Sequence, residues 1–115
     1  EQVNKDIIVR FERLLDDYFD SDGPLREGLP TVKYFADKVF LSANYFGDLI
    51  KKETGLSAQE YILAKTMDTA KELLADPTKS VSDVAYALGY QYPQYFSKAF
   101  KRVVGCSPNE YRKLN

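Results

Sequence analysis

The chain repeats itself at an offset of 50 residues, and this repeat limits what it can fold into. A repeat of this length is typical of a duplicated supersecondary unit. Each copy reads as a short helix, a tight turn, a longer helix and a glycine stop, which is the outline of a helix-turn-helix. The matched positions are Tyr45, Phe46, Lys51, Gly55, Ser57, Glu60 and Tyr61 in the first copy and Tyr95, Phe96, Lys101, Gly105, Ser107, Glu110 and Tyr111 in the second.

The apolar run that opens each copy matches at an offset of 49 instead. The turn before Tyr95 is therefore one residue longer than the turn before Tyr45. Two such units in one chain indicate two binding elements that contact one extended partner. The matched apolar residues are Val32, Phe35, Ala36 and Val39 in the first copy and Val81, Val84, Ala85 and Leu88 in the second.

Composition excludes most kinds of catalytic and metal site. The chain has 115 residues, 44% of them hydrophobic and 29% charged, which fits one domain or two small lobes that share a core. With no histidine and one cysteine, Cys106, it cannot form zinc fingers, disulfide scaffolds or histidine-dependent triads and dyads. The acids Glu53 and Glu60 lie at helix ends or caps. We therefore expect no enzyme, no catalytic residue, no cofactor and no metal site.

Charge is distributed unevenly along the chain. The net charge is −1, which argues against a general polyanion binder. Residues 1–37 carry nine acids and five bases, whereas residues 81–115 carry two acids and five bases. The chain therefore has an acidic start and an electropositive end.

Nothing in the sequence indicates a membrane protein. The chain has no run of 18 apolar residues, which is about the length needed to span a bilayer, and it does not open with a basic segment followed by an apolar one, as a signal peptide does. We expect a cytoplasmic protein with no membrane partner. The first residue is Glu1 rather than methionine, so we expect a fragment whose effector or dimerisation domain lies upstream.

Apolar periodicity, caps and breakers predict an all-α fold of about seven helices, in two helix-turn-helix subdomains joined by a long linker helix. The Gly and Pro residues of segment 20–30 predict a mobile loop. Ser57 and Glu60 form a capping-box pattern, and Ser80 with Asp83 forms a similar one. The predicted helices cover about 3–19, 32–38, 43–54, 58–75, 81–88 and 94–103, and a last short one starts at Ser107. The predicted domains are 1–30 (first helix and loop), 31–56 (first helix-turn-helix), 57–76 (linker helix) and 77–115 (second helix-turn-helix and C-terminal helix).

The two units carry residues that resemble the DNA-binding domain of AraC-type transcription regulators, the AraC/XylS family. The resemblance covers about residues 30–113 and is tighter in the second half. In that half it rests on Ala85, Gly89, Tyr90, Tyr95, Phe96, Ser97, Lys98, Phe100, Lys101, Arg102, Gly105, Ser107, Pro108, Tyr111 and Arg112. In the first half it rests on Ala36, Leu41, Ser42, Tyr45, Phe46, Lys51, Lys52, Thr54, Gly55 and Tyr61.

The resemblance implies a transcription factor that binds double-stranded promoter DNA sequence-specifically, with its two units in successive major grooves. The predicted linker agrees with this, because about 19 helical residues span roughly 28 Å and one turn of B-DNA is about 34 Å. RNA polymerase is a further expected partner. The acidic start and the pI near 5.5 leave an alternative open, a protein-interaction module on a helix-turn-helix scaffold that docks polymerase or a sensor domain.

The outward face of each second helix is expected to meet DNA. In the second unit, Gln94, Ser97 and Lys98 are the candidate base contacts, since these side chains can pair with base edges. Lys101 and Arg102 lie farther along that helix, and we expect them to contact phosphate.

In the first unit Asn44 is the candidate adenine reader. Ser42, Lys51 and Lys52 are the candidate backbone contacts, although the two lysines are also compatible with a merely solvated face. Gly47 stands where family members more often carry a longer polar or basic residue. It either lets the DNA backbone approach or marks a close packing contact.

Three further positions bear on this interface. Asp48, a second departure from the family pattern, could accept a hydrogen bond from cytosine N4 but is rather expected to be a spectator or a partner of Lys51 or Lys52. In the linker, Thr66 replaces a family arginine or lysine. The aromatic residues of both units are expected to be mostly core, namely Tyr45, Phe46, Tyr95, Phe96 and Phe100.

Overall fold

The computed structural model describes residues 2–114, and across that range the chain forms eight α-helices and no strand. The all-α prediction is confirmed, and the predicted helices agree with the observed ones within one or two residues at most ends. The helices are α1 (Gln2–Asp20), α2 (Gly23–Glu27), α3 (Val32–Lys38), α4 (Ala43–Thr54), α5 (Ala58–Leu74), α6 (Val81–Ala87), α7 (Pro93–Val104) and α8 (Pro108–Leu114).

The eighth helix is α2, which lies inside the segment predicted to be a loop. Its five residues are too few to show a helical period, and the side chain of its N-terminal residue Asp22 makes no capping hydrogen bond. It is stabilised instead by its surroundings: Gly23 and Pro24 are buried, and the Gly23 N–H donates to the Ser21 hydroxyl at 3.1 Å. Proline at the start of a helix costs nothing, since its missing N–H would be unpaired there anyway.

Two hydrophobic cores divide the molecule into two lobes. The first lobe comprises α1, α3, α4 and the N-terminal half of α5, and the second comprises the C-terminal half of α5 with α6, α7 and α8. Aromatic rings fill both cores. Phe11 meets Phe46 edge-on at 5.0 Å in the first, and Phe96 meets Phe100 at 5.7 Å in the second.

The lobes are joined along α5 and at the end of α1. Ile62 belongs to the first core and Met67, five residues later, to the second, while Phe19 packs against both. The molecule measures 43 × 28 × 19 Å and has a radius of gyration of 14.8 Å. A compact chain of this length has a radius of about 13 Å. The fold is therefore elongated, with one helix-turn-helix unit in each lobe.

Candidate nucleic-acid interface

The second helices of the two units, α4 and α7, begin and end in similar ways. The Ser42 hydroxyl accepts a hydrogen bond from the Tyr45 N–H at 3.1 Å and so caps α4. In α7 the first residue is Pro93, and the Tyr95 N–H bonds to the Tyr92 carbonyl at 3.1 Å. Each helix ends at a glycine in the left-handed conformation, as the repeat predicts.

One face of each helix is buried and the opposite face is open. Phe46, Leu49 and Ile50 are buried in α4, and Phe96 and Phe100 in α7. The predicted contact residues lie on the other side. Among them, Ser42, Asn44, Lys51, Lys52, Gln94, Lys98, Lys101 and Arg102 are exposed, and Ser97 is half-buried.

The expectation that Tyr45 and Tyr95 belong to the core is wrong. Tyr45 is 56% exposed and Tyr95 is 58% exposed, whereas the neighbouring Phe46 and Phe96 are fully buried. Consecutive helical residues point about 100° apart, so each tyrosine lies at the edge of the apolar face. Tyr92 is also exposed and meets Tyr95 edge-on at 5.7 Å. Each helix thus presents an aromatic ring in its first turn.

Gly47 faces open space. A Cβ placed on it would have no atom of the protein within 4 Å, so Gly47 does not mark a close packing contact within the described chain. Asp48 is exposed, and the ion pairs of residues 2–114 join it to neither Lys51 nor Lys52. The exposed face of α4 therefore carries no bulky side chain at these two positions.

Thr66 is buried, with 2% of its surface exposed, and its hydroxyl donates to the Ile62 carbonyl at 2.8 Å. It borders a groove of about 490 Å³ between the lobes, which Tyr90 and Arg102 line from the other side. Thr66, in the linker helix α5, therefore faces this groove between the lobes. Arg102 also borders a second groove together with Leu63 of α5.

Lys51 and Lys101 each lie beside an equivalent capping glutamate. The backbone N–H and then the hydroxyl of Ser57 hold the pKa of Glu60 below its usual range, and nearby Lys51 adds to this. Ser107 lowers the pKa of Glu110 in the same order, and Lys101 contributes likewise. Each lysine thus lies near a capping carboxylate that stays ionised at neutral pH. The duplication extends to the charges around the site.

Burial raises the pKa of Tyr90, and the positive charge of Arg102 acts in the opposite direction.

Within residues 2–114 no group of three or more histidine, cysteine or acidic side chains is arranged to hold a metal ion. Over the same range no helix has the length and apolar character needed to cross a bilayer. The features that stand out are the exposed faces of α4 and α7.

Comparison with known proteins places this arrangement among transcription regulators. Residues 35–114 match the family model of a helix-turn-helix domain. The Msm operon regulatory protein of Streptococcus mutans is 38% identical over 82 residues, which are 71% of this chain and 30% of that protein. The melibiose operon regulatory protein of Escherichia coli K12 is 34% identical over 85 residues, 74% of this chain and 28% of that protein. The chain thus spans less than a third of either regulator.

A solved structure has the same fold. The C-terminal domain of AraT, a response regulator from Geobacillus stearothermophilus, superposes with a TM-score of 0.80 at 29% identity. The match covers 95% of this chain and 85% of that one. It therefore extends beyond the two repeated units into the part of the chain before α3.

Proposed function

Since this chain belongs to the AraC-type family of helix-turn-helix transcription regulators and is a DNA-binding domain of that family, we propose that it binds double-stranded promoter DNA sequence-specifically, with α4 and α7 in successive major grooves. The observation that carries this proposal is the pair of equivalent helices whose outer faces are polar and exposed. Two equivalent helices in one chain suit a partner whose own shape repeats, as the major groove of DNA does.

The dimensions support binding by a single copy. The 17 residues of α5 span about 25 Å at 1.5 Å per residue. The long axis of the molecule is 43 Å, and one turn of B-DNA is about 34 Å. One chain is therefore long enough to reach two consecutive major grooves on one side of the duplex.

The proposed base contacts are Asn44 in the first unit and Gln94, Ser97 and Lys98 in the second. Asn and Gln can pair bidentately with adenine, Lys donates to guanine, and Ser can contact several bases. Three of these four side chains are exposed. The half-buried Ser97 can reach only a base edge that comes close to the helix backbone.

The proposed backbone contacts are Lys51, Lys52, Lys101 and Arg102, together with Ser42. Phosphate contacts position a protein on DNA without reading its sequence. The Ser42 oxygen already accepts the Tyr45 N–H, so its hydroxyl proton is what it offers to a phosphate.

Tyr45 and Tyr95 join this set because of their exposure. A phenol hydroxyl can donate to a phosphate oxygen, and an aromatic ring edge can contact a thymine methyl group. Both rings lie in the first helical turn, beside Asn44 and Gln94 respectively. They add an aromatic ring to the proposed interface in the first turn of each helix.

The first test is a selection of binding sites from random duplexes, followed by a salt titration on the selected site. If four to six phosphates are neutralised, log K should fall against log salt concentration with a slope of about −4 to −5. A selection that returns no motif, or a slope near zero, would reject the proposal. A shuffled duplex of the same composition is the control for specificity.

Two variants separate base reading from backbone contact. Gln94→Ala should relax the preference at one base position by about 1–3 kcal/mol, whereas Lys101→Ala should weaken binding to every sequence alike. Lys5→Ala, an exposed lysine on α1, controls for the loss of one charge. If Gln94→Ala leaves the selected motif unchanged, Gln94 is not a base reader.

Contact with RNA polymerase in the cytoplasm, and control by an effector or dimerisation domain, are also part of this proposal. They would involve the acidic exposed side of α1, which carries Asp16, Asp17 and Asp20. A mobility-shift assay with random genomic fragments separates this role from DNA binding. A module that binds only protein partners would retard none of the fragments.

A further inference from the structure

The end of α1 and the segment between α1 and α3 contribute nothing to the proposed DNA contacts, yet they touch both lobes. Phe19, at the end of α1, packs against both cores, and α2 contacts α6 of the second lobe. We propose that residues 18–30 form a brace that fixes the second helix-turn-helix relative to the first and so sets the half-site spacing that the domain accepts. This inference rests on the proposed function.

The brace is fastened to the first lobe through Tyr18. Its ring is buried and packs edge-on against Tyr34 at 5.1 Å and Phe35 at 5.8 Å. Its hydroxyl donates to the Gly28 carbonyl at 2.6 Å. Burial, with smaller contributions from Tyr34 and Glu27, raises the pKa of Tyr18 to about 12. The hydroxyl therefore remains a donor throughout the physiological range.

The same peptide group is in contact with the second lobe. Gly89 lies in the turn between α6 and α7 with a φ of 100°. A Cβ on Gly89 would lie 2.5 Å from the carbonyl carbon of Gly28, 2.7 Å from its oxygen and 2.8 Å from the nitrogen of Leu29. These are backbone atoms, which cannot rotate away as a side chain can. The carbonyl group of Gly28 is thus held by a hydrogen bond from one lobe and by backbone contact from the other.

The first unit supplies an internal comparison for this turn. Phe40 occupies the position equivalent to Gly89, and the Leu41 N–H bonds to Ala36 just as the Tyr90 N–H bonds to Ala85. Phe40 has a φ of 61° and is 84% exposed. The turn itself therefore admits a large side chain, despite the strain of a left-handed backbone. At Gly89 it is the contact with Gly28 that excludes one.

The contact between Gly28 and Gly89 is narrow. Residues next to it line two grooves, one of about 360 Å³ that includes Leu25 and Ala87 and the one of about 490 Å³ that includes Leu29 and Tyr90. Because these grooves leave space between the lobes next to the contact, the loss of one hydrogen bond should loosen the angle between the lobes.

The experiment compares Tyr18→Phe, which keeps the ring and removes the hydroxyl, with Tyr34→Phe as the matched control. The 115-residue chain is titrated with duplexes in which the two selected half-sites are moved apart or together by one and two base pairs. Tyr18→Phe should lower affinity for the preferred spacing by about fivefold, the value of one hydrogen bond. It should also reduce the discrimination between spacings, while Tyr34→Phe leaves both unchanged.

A second measurement does not depend on DNA. In a Cys106→Ser background, spin labels at Lys38→Cys in the first lobe and Asn109→Cys in the second report the distance between the lobes. Tyr18→Phe should broaden the distance distribution, with circular dichroism confirming that the variant is folded. An unchanged distribution and an unchanged spacing profile in folded Tyr18→Phe would overturn the brace alone. If the wild-type chain binds no duplex or shows no spacing preference, the proposed function itself fails, and the brace proposal fails with it.

Discussion

At the scale of single residues, the contacts of Arg112 explain why an arginine stands near the end of the chain. Its Nε donates to the Leu74 carbonyl at 3.0 Å and a terminal nitrogen donates to the Asp76 carbonyl at 3.1 Å. The same nitrogen also donates to the Lys79 carbonyl. The last carbonyls of a helix have no partner within it, so Arg112 satisfies the end of α5 and fastens α8 to it.

Arg112→Ala should therefore lower the free energy of unfolding by about 2–3 kcal/mol, because it leaves partly buried carbonyl groups without a donor. Arg112→Lys should lose an intermediate amount, since a lysine keeps the charge but not the planar fork. Urea denaturation followed by circular dichroism measures both. Lys113→Ala, at the exposed neighbouring position, should stay within about 0.5 kcal/mol of the wild type. An equal loss in Arg112→Ala and Lys113→Ala would contradict this role.

Residue exposure could be predicted at the centre of each apolar face but not at its edge. Phe46 and Phe96 lie at the centre, and both are buried as predicted. Tyr45 and Tyr95 lie about 100° away, where burial depends on whether another element covers that side. The sequence contains no information on this point within the helix itself. The exposure of the two rings could therefore be seen only in the folded structure, where no other element of residues 2–114 covers that side of either helix.

At the scale of elements, the helices with an apolar stripe or a side-chain cap pattern in the sequence were predicted, and α2, which is too short for a stripe and has no side-chain cap, was not. Ser57 with Glu60 forms the predicted capping box, with hydrogen bonds of 2.8 and 3.0 Å, and α5 follows it. Ser107 with Glu110 repeats the box at 2.8 and 3.1 Å before α8. In contrast, α2 depends on contacts made from outside the helix, such as the hydrogen bond from the Tyr18 hydroxyl to the Gly28 carbonyl at its C-terminal end. Such contacts leave no periodic pattern in the sequence.

Within α4, Gly47 allows stability and binding to be separated. Its missing side chain faces open space, so Gly47→Ala should stabilise the fold by about 0.5–1 kcal/mol through helix propensity. If the DNA backbone comes close to α4 at Gly47, the same change should weaken binding to the selected site. Thermal unfolding and anisotropy titration measure the two effects. Gly47→Ser should weaken binding further, and wild-type affinity in both variants would show that the DNA does not come close at Gly47.

At the scale of the whole molecule, the unequal charge of the two ends is laid out along an elongated shape. Residues 1–37, which carry the acidic excess, belong largely to the first lobe, and residues 81–115, which carry the basic excess, belong to the second. Since the molecule is 43 Å long, the far ends of the two lobes are much farther apart than the Debye length of about 8 Å at physiological salt. Each unit therefore meets DNA mainly in the field of its own lobe.

Lys51 and Lys101 are a matched pair for testing this effect. Both are exposed, and each contributes to lowering the pKa of the capping glutamate beside it, Glu60 or Glu110. Either alanine variant should reduce the salt slope by about 0.9, the effect of one phosphate contact. Lys101→Ala should nevertheless cost more affinity, because the surrounding acids of the first lobe already weaken the attraction of Lys51 for phosphate.

The difference between the two variants should also depend on salt. Screening shortens the range of the lobe charges from about 10 Å at 0.1 M salt to about 3 Å at 1 M, so the two losses should converge as salt is added. Parallel titrations of both variants from 0.05 to about 0.3 M salt measure this convergence. If Lys51→Ala costs more at every concentration, the first unit dominates binding. A gap that stays constant with salt would instead mean that local contacts distinguish the two lysines.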